Sequence, residues 1–197
     1  MFYSHMEKVL IFIDAGFLSK VSKHFGGGIP LKYDILKFAK NIAGKEGLIF
    51  EQLFYYTSPP FQSNNPPKQE RERKERYDRF IKKLRALQEI TIQEGRCQRI
   101  KVDGNFVYNQ KGVDTLLTMD LMDVPLDHSK IKEIILIASD SDFVPVIERL
   151  KKHGIKVILY TYFDRKRNSA FSTSNKLLGS VSRYVQITGQ DFIGSKH

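Results

Sequence analysis

The sequence predicts an α/β fold in which a parallel or mostly parallel sheet is covered by helices on both faces. Short apolar runs, such as 9–13 and 134–138, are bounded by polar residues, which is typical of strands buried on both sides. Amphipathic stretches with helical spacing separate these runs, so that strands and helices alternate along the chain. Right-handed crossovers between parallel strands then place the helices on both faces of the sheet.

The individual elements follow from these patterns in chain order. Strands are predicted at 9–14, 48–57, 91–102, 132–138, 156–162 and 183–187. Helices are predicted at 15–24, 31–43, 68–90, 113–124, 143–153 and 174–180. Pro125 is placed beyond the end of the fourth helix, and Gly154 caps the fifth. We expect one domain over residues 1–197, with a proline-rich loop and a basic helix at about 58–90 as an elaboration.

The composition is that of a basic globular protein with one cysteine. Among 197 residues, 32 are Lys or Arg and 22 are Asp or Glu, and the formal net charge of +10 favours nucleic acid or an anionic membrane surface as partner. Cys97 stands alone, which excludes an internal disulfide and favours a reducing cytoplasm. No apolar stretch is long enough to span a bilayer, and the first residues lack the pattern of a signal peptide. We therefore expect a cytoplasmic protein without a membrane partner.

Aspartates stand where predicted strands end. Asp14 closes the first apolar run, and Asp140 and Asp142 follow the central run with one residue between them. Asp114 opens the predicted fourth helix. Because ligands of parallel α/β sheets bind at the carboxyl ends of the strands, we expect these carboxylates to lie at one edge. Each could also cap the helix that follows it, since Asp is a common N-cap residue, and the two roles are compatible.

A cluster of carboxylates implies a bound cation. Like charges in one place repel one another unless a cation lies among them, and oxygen ligands suit Mg²⁺ or Mn²⁺ rather than zinc. The candidate metal ligands are Asp14, Asp114, Asp140 and Asp142. Asp120 is a further candidate, although it lies about 240° around the predicted helix from Asp114. An acidic site in a basic protein predicts a metal-dependent enzyme that acts on a polyanion.

The basic helix within 68–85 is a candidate contact for nucleic acid. It contains nine Lys or Arg against four Asp or Glu. The candidate contacts are Arg71, Arg73, Lys74 and Arg76. Mixed charges at this spacing are equally typical of a solvated helix with internal ion pairs, so both interpretations stay open. The helix could also join two copies of the chain as a homodimer through Phe80, Leu84 and Leu87, or pack these residues on the sheet.

Further cations are predicted near the acidic edge. They are Lys111, Arg165, Lys166 and Arg167. Lys111 precedes the predicted fourth helix, and the other three follow a predicted strand at its carboxyl end. Lys111 is typical of a solvated loop lysine but could approach a phosphate group. The cations at 165–167 favour phosphate binding over a plain surface loop, since cations beside the acidic site could hold a polyanionic backbone there.

Three motifs together resemble the NYN domains (LabA-like group) of the PIN-like nuclease superfamily. They are Ile11-Phe12-Ile13-Asp14, Lys111-Gly112-Val113-Asp114 with Leu116-Leu117-Thr118-Met119-Asp120, and Ala138-Ser139-Asp140-Ser141-Asp142-Phe143 with Pro145. Their order and spacing match over roughly residues 8–190. The resemblance implies a three-layer α/β/α sandwich around a mainly parallel sheet. It also implies a hydrolase, a divalent-metal-dependent ribonuclease whose acidic set is Asp14, Asp114, Asp140 and Asp142.

The chain departs from the family pattern beside the first aspartate. Members often have Asn three residues after that aspartate, and here the position is Phe17. A further acidic position near the final helix is not evident, and Ser174 and Asn175 stand in that region. The leading expectation is cleavage of single-stranded RNA, whose backbone is accessible at a shallow edge. The alternative is a non-catalytic RNA-binding or regulatory module on the same fold.

Overall fold

A computed structural model describes residues 7–164, 169 and 171–195, and within them six parallel strands form one sheet. In chain order the elements are β1 (Lys8–Asp14), α1 (Ala15–Phe25), α2 (Ile35–Lys45), β2 (Ile49–Thr57), α3 (Lys68–Arg85), β3 (Ile90–Glu94), β4 (Arg96–Val102), β5 (Asn105–Lys111), α4 (Val113–Asp127), β6 (Glu133–Ile137), α5 (Val144–Lys152), β7 (Lys156–Thr161), α6 (Asn175–Ser180), β8 (Arg183–Gln186) and α7 (Gly189–Ile193). A 3₁₀ turn at Ser141–Phe143 precedes α5. The predicted α/β class with a mainly parallel sheet is confirmed.

Two apolar cores lie on opposite faces of the sheet. On one face, α1, α2 and α7 pack over Ile11 and Ile13 of β1. On the other face, α4, α5 and α6 cover Leu10 and Phe12 of the same strand. This arrangement follows from the alternation of side chains along a strand. Because the alternation continues to the end of β1, Asp14 lies on the same face as Phe12, which is the face covered by α4.

The strand order creates a crevice beside Asp14. The strands run β3-β2-β1-β6-β7-β8, so that the chain builds one half of the sheet outward from β1 and the other half outward from β6. Ligands of open parallel sheets bind outside the carboxyl ends of the strands where the order reverses in this way. Asp14 ends β1, and Asp140 follows β6. The two carboxylates therefore flank the crevice.

The third strand predicted within 91–102 is present as β3, but it ends early because the chain leaves the sheet at Gly95. The following residues form β4, which pairs antiparallel with β5 as a separate hairpin. A Cβ atom at Gly95 would lie 2.5 Å from the carbonyl oxygen of Lys111 and 2.8 Å from Cγ2 of Val113. Glycine thus allows the two ends of the hairpin to meet. Gly112, with a φ of 81°, then turns the chain into α4.

We expect Gly95→Ala to lower the free energy of unfolding by about 1–3 kcal/mol, since the added methyl group overlaps backbone atoms that must shift to make room. Denaturant unfolding measures this loss. Gly44→Ala is the matched control, because Gly44 lies in α2 and a Cβ atom there would meet nothing within 4 Å. The control should be neutral or slightly stabilising. Equal effects of the two substitutions would show that the hairpin ends do not need this close approach.

Three other helices differ from the predictions in their ends or in their presence. α3 ends at Arg85 rather than at 90. α4 continues through Pro125 to Asp127, since a proline in the last turn removes only one helical hydrogen bond. α7 was not predicted, although Thr188 and Asp191 form a capping box at its start. No helix within the described ranges is long and apolar enough to cross a membrane.

Candidate active site at the carboxyl edge of the sheet

Asp14 is fixed at the end of β1 by the backbone of α1. Its Oδ1 atom accepts hydrogen bonds from the N–H groups of Gly16, at 2.9 Å, and Phe17, at 3.2 Å. Burial raises the pKa of Asp14 to about 6, and the charges of Asp114 and Asp140 add to this effect although the two hydrogen bonds oppose it. A carboxylate in this position would be stabilised in its ionised form by a nearby cation.

Asp114 lies in the first turn of α4 and faces the same edge. Desolvation raises its pKa, and so do the charges of Asp140 and Asp142. Asp14 and Asp140 line one cleft at the carboxyl edge, whereas Asp114 and Asp142 are not among the residues that line it. The use of all four aspartates as one ligand set stays a prediction.

Asp140 and Asp142 belong to the 3₁₀ turn that follows β6. Oδ1 of Asp140 accepts a hydrogen bond from the N–H of Asp142 at 2.9 Å, so Asp140 caps the turn. Both side chains are exposed. Phe143 directly after them is fully buried in the core below α5. The buried ring therefore holds the acidic turn against the body of the protein.

Asp120 has a different environment from the other four acids. The hydroxyl group of Tyr56 donates a hydrogen bond to its Oδ2 atom at 2.7 Å. Tyr56 is fully buried and is the β2 partner of Asp14 in the sheet register. Burial, followed by this hydrogen bond, raises the pKa of Tyr56 above its usual range. Asp120 therefore serves as an acceptor for a buried tyrosine next to the site, and its role as a metal ligand stays a prediction.

A cleft of about 550 Å³ opens over Asp14 and Asp140. Five hydroxyl residues line it: Ser139, Ser141, Ser172, Thr173 and Ser174. Ser172 and Thr173 were not among the predicted site residues, although the run of three hydroxyl residues at 172–174 could have indicated them. Phe17 also lines the cleft, but it is only 7% exposed and packs into the core with α2. Phenylalanine in place of the family's Asn therefore removes a polar group without filling the cleft.

The basic residues of α3 are engaged partly within the helix itself. The guanidinium group of Arg71 donates to the carbonyl oxygen of Pro66 at 2.6 Å, and Lys74 pairs with Asp78 at 2.6 Å. Arg73 and Arg76 are exposed. Some cations of this helix thus form local pairs and others face solvent, and contact with nucleic acid stays a prediction.

The structure describes only some of the other residues that were predicted to contact RNA or a second copy of the chain. Lys111 is exposed at the end of β5, next to the start of α4. The cations predicted at 165–167 lie outside the described residues. Leu84 is buried in the core, and the partly exposed ring of Phe80 contacts Tyr55 of β2 with centroids 6.2 Å apart, so these two residues pack on the sheet. Leu87 lies beyond the end of α3 and is exposed, and a homodimer through this helix stays a prediction.

The donor set at this edge suits a hard divalent cation. The described residues contain no group of three His, Cys, Asp or Glu side chains that could by itself hold a metal ion. Mg²⁺ keeps several of its waters in proteins and needs only one or two carboxylates. Asp14 and Asp140 lie on one cleft and feel each other's charge, which fits a cation bound through water as well as through carboxylate oxygens.

The family of this chain is shown by a family model rather than by a curated relative or a solved structure. No curated protein matches this chain. A solved structure of glucose-6-phosphate 1-dehydrogenase from Mycobacterium avium is similar over 79% of this chain, at 15% identity and a TM-score of 0.33. This chain covers 29% of that enzyme, and a likeness this low supports no argument. The family model described as NYN domain matches residues 8–187, nearly the whole chain. The chain therefore belongs to the NYN domain family, within the PIN-like superfamily.

Proposed function

We propose that this protein is a divalent-metal-dependent ribonuclease that hydrolyses phosphodiester bonds of single-stranded RNA in the cytoplasm. NYN domains are generally nucleases with RNA-related functions, which supports the class of reaction. The observation that carries the proposal is the placement of Asp14 and Asp140 on one cleft at the carboxyl edge, where burial and the charges of Asp114 and Asp140 raise the pKa of Asp14. Neighbouring buried carboxylates destabilise the folded protein when ionised, unless a bound cation offsets their charge, and such groups are typical of functional sites.

The acidic residues would supply the oxygen ligands. Mg²⁺ or Mn²⁺ held by Asp14, Asp140, Asp142 and Asp114, directly or through water, would lower the pKa of a bound water and neutralise charge on the scissile phosphate. Asp14 is already oriented by two backbone hydrogen bonds, and Asp140 by one. This fixed geometry reduces the reorganisation needed when substrate binds.

The neutral and basic residues would hold the RNA backbone. Ser139, Ser141, Ser172 and Ser174 line the cleft, and their hydroxyl groups can donate hydrogen bonds to phosphate oxygens. Lys111, the exposed cations of α3 and the cations at 165–167 would supply charge. Contacts of this kind position the strand without reading its sequence, so affinity should fall steeply as salt rises.

The second candidate is an RNA-binding or regulatory module that does not cleave. Phe17 favours it, because the polar group that the family often places three residues after the first aspartate is missing from this position. This candidate predicts salt-sensitive RNA binding without turnover in Mg²⁺ or Mn²⁺.

Cleavage of labelled single-stranded RNA in Mn²⁺, with and without EDTA, tests the proposal. Asp140→Asn should lower the rate about 10³-fold or more, since loss of a metal ligand removes several kcal/mol of transition-state stabilisation. Asp123→Asn is the matched control, because Asp123 is an exposed acid of α4 outside the cleft, and it should cleave normally. Metal-dependent cleavage that survives Asp140→Asn would refute the assigned role. Binding without cleavage by the unaltered protein would favour the second candidate.

A further inference from the structure

We propose that the hairpin formed by β4 and β5, together with Phe61, is a stacking platform that binds unpaired RNA bases and leads the strand into the acidic cleft. This inference rests on the proposed function for its choice of RNA as the ligand. It adds a binding surface that lies outside the three family motifs, except for Lys111 at its end.

The register of the hairpin gathers aromatic and cationic side chains on one face. Cross-strand partners share a face, and the pairs on this one are Cys97 with Gln110, Arg99 with Tyr108, and Lys101 with Phe106. Phe106 is 55% exposed and Tyr108 is 49% exposed. Large aromatic residues at this exposure have no core to fill in the described structure. Exposed aromatic residues interleaved with cations are the usual composition of single-strand binding surfaces.

The aromatic residues of this face are already arranged by a cation. The guanidinium carbon of Arg99 lies 4.6 Å from the ring centroid of Phe61 and 4.4 Å from that of Phe106. The rings of Phe61 and Tyr108 have centroids 5.7 Å apart. Arg99 thus contacts the rings of both Phe61 and Phe106. Aromatic rings and guanidinium planes are both surfaces on which unstacked RNA bases pack.

The loop before α3 carries Phe61 and is joined to the first turn of that helix. The pKa of Glu70 is lowered mainly by the hydrogen bond from the N–H of Ser63, and further by the charge of Arg99. Ser63 and Glu70 join the loop to the first turn of α3, with a distance of 2.8 Å from N to Oε2. The loop that carries Phe61 is therefore tied to the helix, and the helix interacts with the hairpin. The platform is held by two separate segments rather than by the hairpin alone.

One end of the platform reaches the acidic site. A Cβ atom at Gly16 would lie 3.0 Å from Oε1 of Gln110 and 3.2 Å from Oδ1 of Asp14, so the Gln110 side chain packs directly over the start of α1. Gln110, Tyr108 and Phe106 follow at intervals of two residues, or about 6.8 Å each along a strand. The platform therefore extends about 14 Å outward from Asp14.

The charge of the hairpin selects RNA over a second copy of this chain as occupant. Residues 96–111 contain four Lys or Arg and one Asp, so two copies brought face to face would repel each other. In a polyanionic strand with unpaired bases, the phosphate groups can pair with the cations and the bases can stack on the exposed rings. Double-stranded RNA would satisfy only the charge, because its bases are stacked within the duplex.

A single tryptophan placed on each face of the hairpin tests the proposal. The chain has no tryptophan, so the emission of Tyr108→Trp reports on this position alone. Oligouridine of twelve residues, added in EDTA to prevent turnover, should quench this emission as bases stack on the ring. Val107→Trp is the matched control, since Val107 is 39% exposed and lies on the opposite face of the hairpin. Its emission should not change, and equal quenching of both or of neither would overturn the proposal.

A second measurement separates base stacking from charge. The double variant with Phe106→Ala and Tyr108→Ala should bind oligouridine more weakly, roughly 5- to 150-fold for each stacked base, and Val107→Ala should bind normally. An abasic oligomer of the same length and charge should bind the double variant and the unaltered protein alike. Equal losses for both oligomers would show a charge effect and refute stacking. An RNA-free dimer that dissociates on Phe106→Ala would show that a second copy covers the face, which also refutes it.

These binding measurements are independent of cleavage. If the unaltered protein cleaves RNA and Tyr108→Trp is not quenched, the platform is refuted while the nuclease proposal stands. If quenching occurs without cleavage by the unaltered protein, the platform stands and the non-catalytic alternative replaces the nuclease proposal.

Discussion

Replacing Asp14 with Asn is expected to abolish RNA cleavage, by about 10³-fold or more, while it makes the metal-free protein more stable near pH 7.5. Activity should fall because a carboxylate oxygen at the centre of the site is lost. Stability should rise because the neutral amide has no charge to desolvate beside Asp114 and Asp140. The amide oxygen can still accept the hydrogen bonds from Gly16 and Phe17, so the cap of α1 remains.

The raised pKa of Asp14 determines the direction in which the stability of the metal-free protein changes with pH. The pKa of Asp14 is about 6 in the folded protein, against an ordinary value of 3.8. The folded protein therefore holds this proton over a range in which the unfolded chain has released it. The resulting contribution to the free energy of unfolding, up to about 3 kcal/mol, is fully present below about pH 4 and is lost as the pH rises through 6.

Denaturant unfolding in EDTA at pH 5 and at pH 7.5 measures this effect. The unaltered protein should lose stability between the two pH values, and Asp14→Asn should lose less and be the more stable of the two at pH 7.5. Saturating Mn²⁺ should restore stability to the unaltered protein, by about 2.7 kcal/mol at a concentration of 100 times Kd, and less to the variant. A variant that is no more stable than the unaltered protein at pH 7.5 would show that Asp14 is not held in a costly ionised state.

Phe143→Ala is expected to cause the largest loss of stability among the residues that support the site, about 3–5 kcal/mol. The ring is fully buried and directly follows Asp142, so its removal leaves a cavity under the acidic turn. With the anchor gone, Asp140 and Asp142 lose their fixed position. Loss of groups that orient metal ligands typically costs about 10- to 100-fold in metal affinity or activity.

Phe38→Ala separates the two effects of the Phe143 substitution. Phe38 is also fully buried, but it lies in α2 within the core on the other face of the sheet. It should lose similar stability and keep its activity at a temperature at which the variant remains folded. Unfolding and cleavage assays on both variants decide the question. Equal activities would mean that the acidic turn keeps its geometry without the ring of Phe143.

The parts of the molecule that were predictable are those with a local burial signal. The apolar runs of β1 and β6 are continuous because both faces of the sheet are covered, and their ends position Asp14 and Asp140. The resemblance to the NYN domains rested on these same residues and is confirmed.

The parts that were missed have no such signal. Every residue of β5 is exposed, so no alternation of buried and exposed positions distinguishes this strand from a loop. The break at Gly95 depends on a contact with Lys111, which is distant in sequence. The approach of Gln110 to Gly16 and the hydroxyl lining at 172–174 likewise arise from the tertiary fold. Sequence patterns report burial more directly than they report which loops meet.

Direct titration with Mn²⁺ tests the central claim, that the acidic edge holds a divalent cation. The described residues contain no preformed group of three ligands, so metal binding is the step on which the nuclease proposal depends. The electron paramagnetic resonance signal of free Mn²⁺ falls as the ion binds. We predict one or two bound ions per chain, with affinity reduced about tenfold or more in Asp14→Asn and Asp140→Asn and unchanged in Asp123→Asn. Binding that is absent, or equal in all four proteins, would contradict the account.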